Sequence, residues 1–475
     1  MSIYLTFLKQ IIHTKTGRDI LFRRFDKQIY KKIMEDPRPL SIESKKKKYL
    51  FVTALIDSVR RNLDRGQISL RFLDRTIDTL VKFNFTDIEL NENILDEFHK
   101  RNGIFPPTFI VLSPTQKCNL NCKGCYASSR ENCPSLSFET VEKICDEVYN
   151  EWGSRFMVIS GGEPLMYNDN GKTLLDIWKK YPEMFFLFYT NGTLITDKFA
   201  EEISKLGNVT PAISIEGWEK ETDERRGNGI YQKIVNAAEN LKKHGVAFGV
   251  SVTATSKNFD ILMDEGFYDF LFNKLGASYM WQFQLMPIGK AKDMKELMVT
   301  PEQRVKLYRM WEKMLEKKYA IADFWNSGAL VEGCVAYGRQ GGYLYIDWNG
   351  NIMPCVFVPY YVDNVLELHK QGKRVADALK SDFFVNGRKW QGEYGLNNLH
   401  EPNNWLMPCS IRDHYKNFKK NILTENTKPE DDVAKFALES EEYEKSLEEF
   451  DEELEKLTDP IWDKEYLEKD NKSQD

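Results

Sequence analysis

The 475-residue chain is poor in cysteine and histidine, with 8 and 6 respectively. Eight cysteines are too few for a disulfide framework at this length. In a reducing compartment, clustered ones read first as metal ligands. No uninterrupted apolar run reaches the ~18 residues that a helix needs to cross a bilayer. The start of the chain also lacks the basic, apolar and small-residue succession of a secretion signal. Neither sign of charge dominates: 66 Lys+Arg against 72 Asp+Glu leave a net charge of -6. That balance gives no global case for a nucleic-acid partner. A cytoplasmic protein is expected. What is present suffices for a packed core, since 42% of residues are hydrophobic and 29% charged, and the length suits two or three domains.

Charge is unevenly placed. Residues 1–50 carry 13 Lys/Arg against 5 Asp/Glu, whereas residues 425–475 carry 20 acidic against 7 basic residues. Residues 1–107 read as a basic helical module, with Ile3, Phe7, Leu8, Ile11 and Ile12 forming one helical stripe. From residue 108 to 320 short apolar runs alternate with helical patterns. The runs are Phe109–Leu112, Phe156–Ile159, Phe185–Tyr189, Ala212–Ile215, Val246–Val252 and Tyr279–Leu285. The helical patterns are Phe138–Trp152, Thr173–Lys180, Asp197–Leu206, Tyr231–His244 and Ile261–Leu275, with a last one, Pro301–Lys317, capped by Thr300. Continuous apolar runs joined by helices predict parallel strands with right-handed crossovers. The fold class is therefore α/β: a partial (β/α)6 TIM-type barrel, whose chemistry belongs at the C-terminal ends of the strands. Residues 321–425 open with a hairpin, Tyr343–Ile346 turning through Asp347–Gly350, and are expected to form a smaller second domain. Residues 426–475 read as an acidic, solvated helical tail with Phe436, Leu447, Phe450 and Leu454 on a weak apolar stripe.

Three of the eight cysteines, Cys118, Cys122 and Cys125, fall within eight residues, directly after the first strand. Soft thiolates at this spacing select zinc or an iron–sulfur cluster. A structural zinc needs four ligands, and Cys133 offers a local fourth, so a zinc knuckle is one reading. The other is a four-iron cluster with three protein ligands and one open iron, placed where a barrel puts its active site.

The pattern C-x3-C-x2-C followed by Tyr126 resembles the radical S-adenosylmethionine (AdoMet) superfamily. The next strand ends are similar too. They read Gly161-Gly162-Glu163-Pro164, then Tyr189-Thr190-Asn191-Gly192, Ser214-Ile215-Glu216-Gly217, Asp223-Glu224-Arg225-Arg226-Gly227 and Met286-Pro287-Ile288-Gly289. The resemblance spans about residues 108–320. It implies a [4Fe-4S] cluster on Cys118, Cys122 and Cys125 that binds AdoMet and cleaves it reductively to a 5′-deoxyadenosyl radical, which abstracts hydrogen from a substrate. It also implies cofactor contacts at Tyr126, Gly161, Gly162, Glu163, Pro164, Asn191, Ser214, Glu216, Arg226 and Met286. Glu163 would accept from the AdoMet ammonium and Arg226 would pair with its carboxylate. The glycines would let backbone approach the ligand.

Cys334 and Cys355 bracket the hairpin, with Cys409 downstream. C-x15-G-x4-C resembles the opening of SPASM and twitch extensions. Three cysteines, against the seven of a full SPASM domain, imply one auxiliary [4Fe-4S] cluster. Asp413 or His414 is a candidate for a further ligand. Cys145 shares a helical face with Val141, Ile144 and Val148 and reads as core, while Cys133 reads as a free thiol. His244 and His400 read as structural, and Trp281, Phe283 and Trp348 as packing.

The substrate is open. The basic amphipathic start suits an anionic membrane surface, although the same stripe is also what a helix packed on a barrel requires. A lipid-like or hydrocarbon-bearing substrate at the inner face of a membrane, with peripheral contact through residues 1–50, is the favoured expectation. A peptide or protein side chain is the first alternative, and a non-catalytic electron-transfer protein the second. A flavodoxin- or ferredoxin-like reductant is the expected partner.

Overall fold

The computed structural model describes residues 11–85 and 88–467. Four helices lead the chain: α1 (Lys15–Met34), α2 (Ile42–Asp64), α3 (Leu70–Phe85) and α4 (Ile88–Asn102). Six parallel strands then follow in sequence order: β1 (Phe109–Leu112), β2 (Phe156–Ile159), β3 (Phe185–Thr190), β4 (Val209–Ser214), β5 (Gly249–Ala254) and β6 (Tyr279–Gln284). Their register runs, for example, Val111 to Val158 and Ile159 to Phe188. Between them lie α5 (Phe138–Asn150), α6 (Leu174–Lys180), α7 (Asp197–Leu206), α8 (Glu219–Arg226), α9 (Ile230–Lys243), α10 (Phe259–Leu262) and α11 (Glu265–Asp269). This is the expected partial barrel. In α5 the Ser137 side chain caps the start, and Val141, Ile144, Cys145 and Val148 turn one buried face to the sheet.

Several boundaries differ from the expected ones. Strand β4 begins at Val209 rather than Ala212, and β5 spans Gly249–Ala254 rather than Val246–Val252. The helix expected over Ile261–Leu275 is broken, because Asp264 turns its carboxylate back to cap Gly266 and starts α11 anew. The short helix α8 was not expected at all. A seventh parallel strand, β7 (Ile321–Asp323), extends the sheet beyond β6 after α12 (Pro301–Glu316), which starts in a capping box of Thr300 and Gln303.

The hairpin is not a detached sheet. Strand β8 (Tyr343–Ile346) pairs in parallel with β1, Phe109 opposite Tyr343 and Leu112 opposite Ile346, and β9 (Ile352–Met353) pairs antiparallel beyond it. The sheet therefore has nine strands, ordered β7-β6-β5-β4-β3-β2-β1-β8-β9. Pairing on the free side of β1 removes an exposed edge there and brings the second cysteine group against the barrel.

The terminal segments pack on this body. Ile12 and Leu21 are buried, and Arg18 donates to Asp64 Oδ1 at 2.5 Å and to Ile12 O at 3.1 Å. The apolar face of α1 is thus turned inward. Ile3, Phe7 and Leu8 of the expected stripe lie outside the described residues. After α13 (Val365–Lys370), α14 (Asp382–Gln391) and the single turn α15 (Tyr415–Asn417), the tail forms α16 (Asp432–Glu439) and α17 (Glu441–Trp462). Helix α17 is not solvated all round, since Tyr443, Leu447, Leu454 and Trp462 are buried. Lys47, within the basic first 50 residues, is buried and donates to Tyr466 Oη at 2.6 Å, with Glu312 Oε1 at 2.5 Å. No described helix is long and apolar enough to cross a membrane.

Candidate active site

The loop after β1 carries the first three cysteines, and three other strand-end segments hold it. Gly289 meets it most closely: a Cβ there would lie 2.2 Å from Tyr126 O. Beside it, Lys290 N–H donates to Cys125 O at 3.0 Å and Lys290 Nζ to Asn121 Oδ1 at 2.6 Å. From the C-terminal end of α8, Arg225 accepts from Lys123 N–H at 2.9 Å and its Nε donates back to Lys123 O at 3.2 Å. After β2, Gly162 N–H and Glu163 N–H donate to Thr115 O and Lys117 O at 2.9 and 2.7 Å. The Gly161-Gly162 pair therefore serves first to let two loop backbones touch.

Cys118, Cys122 and Cys125 all line one cavity of about 290 Å³ inside the barrel. Tyr126, Gly161, Gly162, Asn191, Ser214, Arg226 and Met286 share its wall. Among the described residues no three His, Cys, Asp or Glu side chains converge on a single-ion site. A lone zinc with bonds of about 2.3 Å would hold its sulfurs within about 4 Å of each other, so the zinc knuckle with Cys133 finds no geometry here. Burial pushes Cys118 up to about 11 and raises Cys122. Thiols of this kind become ligands only when a cationic metal centre displaces their protons. The Asn191 side-chain amide points its donor toward Cys118 Sγ at 3.8 Å, and Leu120 N–H lies 3.4 Å from the same sulfur.

Three residues expected to touch cofactor stand behind the wall instead. Glu163 is fully buried, and its carboxylate accepts from Thr190 Oγ1 at 2.8 Å, Asn191 N–H at 2.7 Å and Leu165 N–H at 3.2 Å. Burial nevertheless outweighs these donors and pushes it up to about 7. It fixes the turn that carries Asn191. Pro164 starts a single 3-10 turn beside it. Glu216, 1% exposed, accepts from Arg225 Nη1 at 2.6 Å and from Arg226 Nε at 3.0 Å. Arg226 reaches the cavity wall already paired. Sequence reasoning passed over Arg225, although it adjoins Arg226 in the same motif.

The remaining wall is mostly aromatic. Phe109, Phe156, Tyr189, Trp281, Phe283 and Phe324 line it, with Trp281 and Phe283 stacked at 6.3 Å. Tyr343 and Phe357 complete it. These rings were legible only as packing residues, because alternation along β6 shows that Trp281 and Phe283 share a face but not what that face encloses.

Cys334, Cys355 and Cys409 sit together behind Tyr343 and Phe357, close enough that a Cys334 thiolate would raise the pKa of Cys355 and Cys409, and a Cys355 thiolate that of Cys409. None lines the cavity. Burial pushes Cys355 up to about 12 and raises the other two. Asp413 is committed elsewhere. Its carboxylate takes Arg304 in a two-pronged pair at 2.5 and 3.0 Å and accepts from Cys409 N–H at 3.0 Å. His414 Nε2 faces Met407 O at 2.9 Å, its ring packed on Trp390 and Tyr394. Arg412 is wholly buried between Trp325 and Phe450, and none of its guanidinium nitrogens has a hydrogen-bond partner among the described residues. Cys145 is core, and His244 Nε2 pairs with Asp197 at 2.9 Å.

Comparison with known proteins agrees with this architecture. Residues 112–258 match the family described as the Radical SAM superfamily. The AdoMet-dependent heme synthase of Methanosarcina barkeri is 25% identical over 291 residues, covering 55% of this chain and 80% of that protein. The sporulation killing factor maturation protein SkfB of Bacillus subtilis is 27% identical over 178 residues, covering 36% and 43%. The crystal structure of Streptococcus suis SuiB bound to precursor peptide SuiA superposes with a TM-score of 0.50 at 19% identity, over 63% of this chain and 70% of that one; this likeness bears on the fold alone. The three-cysteine loop on a parallel partial barrel and the match over its strands identify residues 112–258 as a radical SAM domain, the kind that uses AdoMet with a [4Fe-4S] cluster.

Proposed function

We propose that Cys118, Cys122 and Cys125 hold the AdoMet-binding cluster, that Cys334, Cys355 and Cys409 hold one auxiliary [4Fe-4S] cluster, and that the substrate presents an apolar, hydrocarbon-bearing group to the aromatic cavity. When bound, the first cluster and AdoMet together supply a 5′-deoxyadenosyl radical that takes a hydrogen atom. The chain's own part is to aim and to exclude. Gly161, Gly162 and Gly289 clasp the thiol loop, Asn191 directs a donor at Cys118, and Arg226 brings positive charge to the wall while Glu216 fixes its direction. The aromatic wall keeps water from the reacting group.

The observation that carries the substrate reading is the wall itself: Phe109, Phe156, Trp281, Phe283, Phe324 and Phe357 line it, and its guanidinium groups, Arg225 and Arg226, are already paired with Glu216. A substrate group that is itself charged finds no free counter-ion there. Membrane docking through residues 1–50 gains no support from α1, whose Arg18 and Leu21 are buried in packing, as is Ile12 just before it. An apolar side chain of a peptide is the second reading, supported by the maturation protein among the relatives. An external low-potential reductant of the flavodoxin or ferredoxin kind belongs with this chemistry.

Anaerobic reconstitution with AdoMet and dithionite tests the assignment. About eight irons per chain are expected for two cubanes. Cys122→Ala should abolish 5′-deoxyadenosine release, and Cys355→Ala should lower the iron count by about four while sparing that release. Release that survives Cys122→Ala would refute the first triplet, and an unchanged iron count in Cys355→Ala the second.

A further inference from the structure

Two cavity walls converge on one sulfur of the second thiol group. Tyr343 opens β8, and its ring lines the cavity, stacked on Phe109 at 5.4 Å and 6° between planes. Its hydroxyl lies 2.9 Å from Cys355 Sγ. Phe357 also lines the cavity, and its backbone N–H reaches the same sulfur at 3.4 Å. Among the described residues, the donors to Cys334 (Ala336, Gln391 and Ser410) and to Cys409 (Arg412) do not line the cavity. Cys355 is thus separated from the cavity by a single layer of aromatic residues, and both members of that layer hydrogen-bond to it.

A thiolate is an acceptor only, so against Cys355 in its metal-bound form the tyrosine must donate. Donors to cluster sulfurs stabilise the more negative, reduced state and so raise the reduction potential. We infer that Tyr343 is a positioning residue of the auxiliary centre, whose hydroxyl, with the Phe357 N–H, holds the Cys355 corner toward the cavity and raises that centre's potential. This rests on the proposal that Cys334, Cys355 and Cys409 hold a cluster.

Strand β8 supplies its own control. Tyr345 is equally buried two residues on, but its hydroxyl donates to Ser113 Oγ at 2.9 Å rather than to sulfur. The test is an EPR-monitored redox titration of the reconstituted holoenzyme, with iron counted in each sample. In Tyr343→Phe the iron count should be unchanged. The one-electron reduction equilibrium of the auxiliary signal should fall about tenfold, a midpoint lower by about 59 mV. Tyr345→Phe should leave that midpoint where it was.

Full iron with an unmoved midpoint in Tyr343→Phe overturns the inference. Equal shifts in both variants do so as well, because the effect would then be general to the strand. Loss of auxiliary iron from Tyr343→Phe also overturns it, in favour of a purely structural role. The underlying proposal fails differently: wild type and Cys355→Ala would then carry the same iron, and no second signal would exist to titrate.

Discussion

The Cβ that alanine would add at Gly162 lies 2.2 Å from Lys117 O and 2.3 Å from Gln116 O. Both are backbone atoms, so no side chain can swing aside to make room. Gly162→Ala must therefore push the chain before Cys118 away from the end of β2. Two hydrogen bonds cross that contact, Gly162 N–H to Thr115 O and Glu163 N–H to Lys117 O. Forcing a methyl group into a packed contact costs about 1–3 kcal/mol, and the two weakened hydrogen bonds add about 1 kcal/mol each. The sum, about 3–5 kcal/mol, is large against the stability of an ordinary domain. Because Cys118 follows Lys117 directly, the displacement also spreads the thiol triplet. Gly372→Ala provides the comparison: unlike Gly162 it sits at positive φ, +70°, yet nothing lies within 4 Å of its would-be Cβ, so the cost should be only about 1–2 kcal/mol. The assay is iron and sulfide content after anaerobic reconstitution, read beside the thermal unfolding midpoint. Gly162→Ala should lose the AdoMet-cleaving cluster and unfold well below wild type, while Gly372→Ala keeps all its iron. If Gly162→Ala matches wild type in both readings, loop-to-loop packing is not what this glycine provides.

Two further outcomes follow from buried charge. Arg304 and Asp413 are 1% and 0% exposed, so Arg304→Met strands a buried carboxylate and should cost about 3–5 kcal/mol by urea unfolding. Since Asp413 also holds the Cys409 N–H, auxiliary iron should be lost with it; a variant that keeps both stability and eight irons per chain would refute the linkage. Burial raises Asp347 to about 6 and Glu163 to about 7. A raised folded-state value means the proton is held more tightly in the fold. The associated stability is therefore complete below the ordinary carboxylate range and lost as pH rises through 6 and 7, on the order of 3 kcal/mol for each group at most. The urea midpoint should fall between pH 5 and pH 8, and a rise over that window would contradict the burial argument.

Legibility in the sequence tracked how local each signal was. The strands FIVL and FMVI are continuous apolar runs of four residues and stand where the pattern put them, because strands buried on both faces need no partner to be recognised. Helix α8, EKETDERR, buries only Thr222 and carries no apolar stripe to read. It exists because its end is tied to Lys123 and its two arginines to Glu216, contacts that join residues about 100 and 10 positions apart. Glu163 is a sharper case. Its place in a GGEP motif predicts a ligand contact, whereas three neighbouring donors have already claimed its carboxylate. The motif marks the loop correctly without saying which member faces inward.

Charge was the least local signal, and the one most open to misreading. A basic start and an acidic end look like two solvated tails, or a membrane anchor and a spacer, when each is taken alone. Both ends instead reach the same outer side of the barrel. Lys47 of α2 meets Glu312 of α12 and Tyr466 just beyond α17, and Arg309 of α12 holds Glu465 at 2.6 Å. Further along, α17 lays Phe450 on Arg412 and accepts the Tyr415 N–H on Asp451 at 3.0 Å. The acidic helix thus backs the segment that carries Cys409, and its Tyr443 Oη reaches Pro287 O at 3.4 Å on the loop that clasps Cys125. One helix thus braces the surroundings of both thiol groups, through Phe450 and Asp451 on one side and Tyr443 on the other, while the charges of both ends are spent on the helix Pro301–Glu316 that lies between them.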